Sequence, residues 1–172
     1  MSRTSKLSST LRSVCDPTRK EGDQTMTNTD HSAEAKRICI GFDWTNDWDS
    51  RQLLGAWLAN HKIPATFTDL SAGQLNDNVA KVKARLSAQI RAATHTLVLV
   101  GAHANTRHQL GERIGTRNWI WWEIEQSKAE GKRLIAVKLK AGNPTPDPLL
   151  NADVTWATSF TQEAILAVST DA

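Results

Sequence analysis

His95-Thr-Leu-Val-Leu-Val-Gly101 is the stretch of this chain that decides its architecture. A strand wetted on one face alternates apolar and polar side chains. The unbroken run from Leu97 to Val100 instead implies burial on both faces, the habit of a central strand in a parallel sheet. Working outward, Asn78 to Ala92 sets Val79, Val82, Leu86 and Ile90 on one side of a helix. A long loop from Ala102 to about Asn118 leads into a helix from Trp119 to Glu130, closed by Gly131 where a left-handed cap is expected. Arg133-Leu-Ile-Ala-Val-Lys-Leu139 repeats the strand pattern. Towards the amino terminus, Arg37-Ile-Cys-Ile-Gly-Phe-Asp43 and Ala65-Thr-Phe-Thr-Asp69 read as strands. Between them a helix runs from Asp49 to about His61, with Leu53, Leu54, Trp57 and Leu58 as its inner face and Pro64 as its breaker. After the fourth strand, Gly142 to Pro148 is proline-rich and irregular, Val154 to Ala157 is a short edge strand, and Thr161 to Val168 is a last helix.

Strands and helices alternate throughout, and parallel neighbours need crossover connections. The expected fold is therefore an α/β three-layer sandwich, a central parallel sheet of about five strands with helices on both faces. Ligands of such sheets bind beyond the carboxyl ends of the strands, near the point where strand order reverses. The loops after Asp43, Asp69 and Gly101, and the helix start at Trp119, are the places to inspect.

The chain has 172 residues, enough for one domain and a tail. Residues 1–36 are rich in Ser, Thr and Asp without hydrophobic period and read as a disordered leader, and 37–172 as the folded domain. Arg3, Lys6, Arg12, Arg19 and Lys20 against Asp16 give the first residues the look of a transit peptide. A start assigned too early, with Met26 as the true beginning, is the preferred account. A net charge of +3, partly carried by that leader, names no nucleic acid partner. Cys15 and Cys39 read as reduced thiols of a cytoplasmic protein. No apolar run is long enough to cross a bilayer.

Several familiar chemistries lack their residues. There is neither a G-x-G-x-x-G fingerprint nor a P-loop. The loop Asp43-Trp-Thr-Asn-Asp-Trp-Asp49 is acidic and would repel a flavin phosphate. A phosphoacceptor receiver needs an aspartate at the end of the third strand, where Gly101-Ala102 stands. His31, His61, His95, His103 and His108 show no metal-ligand spacing, so no metal is expected. No G-x-S-x-G elbow offers a nucleophile.

What remains is Asn118-Trp-Ile-Trp-Trp-Glu-Ile-Glu125. Trp119 and Glu123 share a helical face near the amino-terminal turn, and Ile120, Ile124 and Ser127 form an adjoining face for the sheet. Such a stripe usually belongs to a core, and a glutamate there usually complements the helix dipole. Three tryptophans in four positions cannot all face inward, however, and one of them can stack on a flat base or nicotinamide ring.

From Ile38 to Leu139 the chain resembles the TIR-like family found as the small component of Thoeris anti-phage defence. The pieces that carry the resemblance are Ile40-Gly-Phe-Asp-Trp-Thr-Asn-Asp47, Leu97-Val-Leu-Val-Gly101, Trp119-Ile-Trp-Trp-Glu-Ile124 and Gly131-Lys-Arg-Leu-Ile135. The W-x-x-x-E-[LI] element of NAD-cleaving TIR domains falls on Trp119, Glu123 and Ile124. The resemblance implies a TIR/flavodoxin-like fold and cleavage of the nicotinamide–ribose bond of NAD, which is substrate rather than cofactor. It further implies a cyclised or linear ADP-ribose product, a separate effector protein that answers to it, and self-association, for which Trp44, Trp48 and Trp57 offer an aromatic patch. Glu123 takes the catalytic role, Phe42 and Asp43 the strand-end position lining the nucleotide, and Asp69 the flank of the pocket.

The loop from Ala102 to Asn118 departs from the family by adding Arg107, His108, Arg113 and Arg117, with Gly111 and Gly115 as flexible points. Cations beside a helix start suit a pyrophosphate, and Arg113 and Arg117 are the candidate cradle. A solvated mobile loop accounts for them equally. Two rivals stay open: a nucleoside deoxyribosyltransferase-like enzyme, disfavoured because Tyr is absent, and a non-catalytic TIR-like adaptor.

Overall fold

The computed structural model describes residues 35–59, 65–70 and 78–171. By its contacts the chain divides into Met1–Ala33 and Glu34–Ala172, and everything described belongs to the second unit. The expectations for the leader, with Cys15, Met26 and His31, and for His61 and Pro64, lie outside the described residues. Five strands, β1 (Lys36–Gly41), β2 (Ala65–Leu70), β3 (His95–Val100), β4 (Arg133–Lys138) and β5 (Val154–Trp156), form one sheet in the order β2-β1-β3-β4-β5. Every neighbouring pair is parallel, with Ile40 opposite Asp69 on one side and Leu97 on the other. Strand order therefore reverses between β1 and β3.

The helices are α1 (Trp48–Ala59), α2 (Val79–Ala92), α3 (Gly111–Ile114), α4 (Trp119–Ala129), α5 (Asp147–Leu150) and α6 (Gln162–Asp171). All six residues of β3 are buried, as an unbroken apolar run requires. Alternate side chains of β1, β3 and β4 supply two cores. Ile38, Ile40, Leu97, Leu99, Ile135 and Val137 meet Leu54 of α1 and Ile165 of α6 on one face. On the other, Val98, Val100, Leu134 and Ala136 meet Ile120 and Ile124 of α4, while Cys39 joins Val82, Leu86 and Ile90 of α2. The α4 face is also keyed by polar groups: Thr96 and Ser127 share a 2.8 Å hydrogen bond, and the buried Cys39 thiol lies 3.2 Å from the same threonine oxygen. Burial pushes that thiol up to about 11, so it stays protonated and inert.

Three expectations need correction. Leu53 is 46% exposed while Leu54 is fully buried, because one helical step of 100° carries Leu53 off the inner face of α1. The segment from Ala102 to Asn118 is not a continuous loop, since α3 interrupts it. Gly111 and Gly115 are fixed points there. Gly111 packs against the carbonyls of Thr116 and Arg117, and Gly115, at φ 82°, closes α3 in the left-handed conformation. Gly131, at φ 64°, ends α4 as its position suggested.

The β1–α1 connection is anchored by a buried acid. The carboxylate of Asp47 lies flat on Gly101, filling the space that any side chain there would need. Its Oδ2 has no hydrogen-bond partner among the described residues. Burial, and then the neighbouring Asp43 carboxylate, push the Asp47 carboxyl up to about 6.

Two measurements check this account. Leu54→Ala should cost about 2–5 kcal/mol in urea denaturation, whereas Leu53→Ala should stay within about 0.5 kcal/mol. Equal losses would put both leucines in the core. The raised Asp47 pKa means that the fold favours the protonated acid, so stability present below the unfolded value near 3.8 is lost as pH rises through about 6. Asp47→Asn cannot ionise and should gain about 1–3 kcal/mol on the natural chain between about pH 4 and pH 7.5. A difference that ignores pH would mean that Asp47 carries no buried charge.

Candidate functional site

A hollow of about 230 Å³ opens beyond the carboxyl ends of β1 and β3. This is the reversal point of the sheet, where ligands of open α/β folds bind. Three segments line it: Phe42 to Asn46 after β1, His103 to His108 after β3, and the first turns of α4.

Glu123 forms part of its floor. The buried stripe of α4 is Ile120, Glu123, Ile124 and Ser127, the i, i+3, i+4, i+7 pattern of a helix side facing a sheet. A glutamate in that stripe has to point at the strands, and Gly41 makes room for it. Glu123 Oε2 stands 2.7 Å from where a Cβ on Gly41 would lie. Only 2% of the residue is exposed, and Oε2 has no hydrogen-bond partner among the described residues. The carboxyl is therefore sunk beneath the hollow. Burial holds its pKa well above the ordinary glutamate range. An unpaired acid of this kind costs stability, and such groups concentrate at functional sites.

Aromatic rings build the walls. Phe42 and Trp44 line the hollow with centroids 5.7 Å apart, and Trp48 packs on Trp44 at 4.2 Å. Trp119 also lines it and meets Trp122 edge to face at 6.0 Å. Both of these indoles lean on the α2 cluster. Trp121 turns away and donates to Asn105 Oδ1 at 3.0 Å. Trp44, Trp48 and Trp57 do not form one patch. Trp57 sits nine residues beyond Trp48, half a turn round α1, and packs on Phe160.

The third wall is held by Asn118. Its Oδ1 accepts the Trp121 N–H and caps α4, while its Nδ2 donates to the carbonyls of Ala104 and Thr106, each at 2.9 Å. His108 N–H donates to the Arg117 carbonyl, closing the segment at its base. Arg107, His103 and His108 consequently face the hollow. Asp43 lines it too, but its carboxylate accepts from Thr45 N–H, Asn46 N–H and Asn46 Nδ2.

Of the residues singled out from sequence, Phe42, Asp43, Trp119 and Glu123 are brought together. The other three are placed elsewhere. Asp69 is salt-bridged to Arg51 of α1. Arg113 borders a separate cleft with Asn78, Val79 and Lys83. Arg117 lies over the Trp121 ring at 5.0 Å and donates to the Asn105 carbonyl. Asn118, Trp44, Arg107 and the two histidines were not picked out as site residues. Only Asn118, an asparagine just before a helix, carried a readable signal. Among the described residues no His, Cys, Asp and Glu cluster could hold a metal ion, and no helix is long and apolar enough to cross a membrane.

No curated protein matches the chain. Among solved structures it is similar in layout to a 2-deoxyribosyltransferase from the psychrotolerant bacterium Bacillus psychrosaccharolyticus, with TM-score 0.47 and 11% identity over 72% of this chain and 87% of that one. A 2-deoxyribosyltransferase from Leishmania mexicana gives 0.44 and 12% over 70% and 83%. A prokaryotic SEFIR domain gives 0.42 and 15% over 67% and 77%. Likenesses this distant concern the path of the chain alone. The sequence itself is more specific, because residues 40–144 match the family described as Thoeris protein ThsB, TIR-like domain, and span both sides of the hollow from Ile40 in β1 through Glu123. The chain belongs to the Thoeris ThsB TIR-like domain family.

Proposed function

We propose that this protein is a cytoplasmic NAD-consuming enzyme of anti-phage defence. It would cleave the nicotinamide–ribose bond and release an ADP-ribose signal, cyclic or linear, to which a separate effector protein responds. The observation that carries this reading is the Glu123 carboxyl, buried and unpaired beneath an aromatic-walled hollow at the reversal point of the sheet.

The chemistry suits such a group. As the C1–N bond of the ribose breaks, its electron pair leaves with nicotinamide, and positive charge develops on the sugar as in other glycosidic cleavages. A fixed carboxylate beside that charge stabilises the transition state more than the neutral sugar, and does so most strongly away from water. In the empty hollow, desolvation favours the protonated acid. The cationic pyridinium of NAD favours the anion, so substrate binding would drive proton release from Glu123. Phe42, Trp44 and Trp119 offer faces for a flat ring and keep water from the sugar. Attack at C1 by water gives linear ADP-ribose. Attack by a group of the same molecule gives the cyclic product.

Free nicotinamide after incubation with NAD is the direct measurement, with deoxynucleosides offered in parallel. Glu123→Gln should lower the NAD rate by about 100-fold or more. Release of free base from deoxynucleosides alone would favour the transferase instead. Because the active form is the anion and its pKa is raised, kcat/KM for NAD should rise with pH across a range well above that of an ordinary glutamate and fall on acidification. A rate flat down to about pH 5 would mean that a buried acid is not required. Gly41→Ala puts a methyl group against Oε2 and should cost roughly 10- to 100-fold in kcat with the circular dichroism spectrum retained. A fully active variant would remove the Glu123 seat from the mechanism.

A further inference from the structure

The hollow is charged differently on its two sides. The β1 side and floor carry Asp43 and Glu123, while the segment after β3 carries Arg107, His103 and His108. His108 Nδ1 accepts the Leu110 N–H at 3.0 Å, which places the proton of its neutral ring on Nε2 and makes that nitrogen a donor. The amino terminus of α4 opens on the same cavity through Asn118, Trp119 and Ile120, adding the positive end of a helix dipole.

Size sharpens the point. At about 230 Å³ the hollow falls below the roughly 300–1,000 Å³ usual for a drug-sized ligand. It suits one ring-and-sugar half of a dinucleotide, whose remainder has to leave across the rim. With carboxyls on one side, the basic segment after β3 is the exit that does not repel an anion.

We infer that Arg107 and His108 form a diphosphate-binding rim, which makes the substrate a nucleoside diphosphate conjugate rather than a free nucleoside. The inference rests on the reading of the hollow as a nucleotide site, and it moves anion recognition away from Arg113 and Arg117, whose side chains lie elsewhere. Arg107 is available for the task. Its guanidinium is 70% exposed, and its partner Glu112, at 3.3 Å, is 90% exposed. An exposed pair of this kind is held by little more than solvent-screened attraction, and a doubly charged diphosphate can displace the glutamate. Asn118 fixes the backbone on which Arg107 stands, through the Thr106 carbonyl, so the rim needs no ordering when ligand arrives.

Two experiments, one free of catalysis, test the rim. In calorimetry with the full chain, ADP-ribose should bind at least about tenfold more tightly than adenosine, with affinity falling as salt rises. Arg107→Ala should erase most of that preference, and Glu112→Gln, which frees the guanidinium, should strengthen ADP-ribose binding about two- to threefold. In the cleavage assay, the natural chain should show a KM for NAD at least about tenfold below that for nicotinamide riboside, and Arg107→Ala should collapse this ratio towards one. Equal binding of ADP-ribose and adenosine, or a preference that survives in Arg107→Ala, overturns the rim. If ADP-ribose binds as expected but neither NAD nor the riboside is cleaved, the rim stands and the enzymatic reading fails.

Discussion

A carboxyl buried against the bare backbone of a glycine is the constraint on which this site depends. Glu123 lies in the helix stripe that has to face the sheet, so its direction is set by the same packing that seats Ile120 and Ile124. An ordinary side chain at position 41 would meet Oε2 at 2.7 Å and force the acid elsewhere. Leaving a carboxyl desolvated without a partner is expensive, and a glutamine or leucine in the stripe would be easier to bury. The fold tolerates the group because Cys39, Thr96 and Ser127 satisfy one another close by, and because apolar contacts on both sides of the sheet hold α4 in place.

A second buried acid shapes the opposite side of the sheet. Asp47 rests on Gly101 at the end of β3, as Glu123 rests over Gly41 at the end of β1. Positions 97, 99 and 101 point towards the α1 layer, whereas 39 and 41 point towards α2 and α4. The two carboxyls therefore approach the reversal point from opposite layers. One fixes the loop that carries Phe42 and Trp44, and the other faces the cavity that this loop helps to wall. Asn118 does the equivalent work for the third wall with three hydrogen bonds from one side chain, all near 2.9 Å. The hollow is thus held by short polar anchors at the ends of rigid elements, which is how a site keeps its geometry while being built from loops.

The layout was legible because burial dictates period. The run in β3, the four-residue stripe of α2 and the glycine after α4 each had one physical reading, and the structure follows them. The inner face of α1 was harder, since Leu53, Leu54, Trp57 and Leu58 span more of the helix than the sheet covers. In the site, Glu123 and Trp119 were visible from helical spacing and from the family element, and Phe42 and Asp43 from their place at a strand end. Arg113 and Arg117 were indistinguishable from Arg107 in sequence. Which of three arginines faces a cavity depends on the turn of α3 and the left-handed Gly115, both set by tertiary contacts. Asp47 was equally hidden, one of several acids in a polar loop, because only its contact with Gly101 separates it from Asp43 and Asp49.

The aromatic walls bear on what happens after the bond breaks. An oxocarbenium ion in water is captured within its first solvent shell, so an internal nucleophile competes only where water is kept from the sugar. Here the acid lies beneath the cavity, and Phe42, Trp44 and Trp119 stand around it. The polar groups gather on the β3 side with Arg107 and His108. A dinucleotide bent across that rim would bring its distal half back over the aromatic mouth, displacing solvent from the one open direction. The same feature that limits the hollow to half of a dinucleotide thus makes the other half its lid. On this geometry, closing the ring and excluding water are one event rather than two.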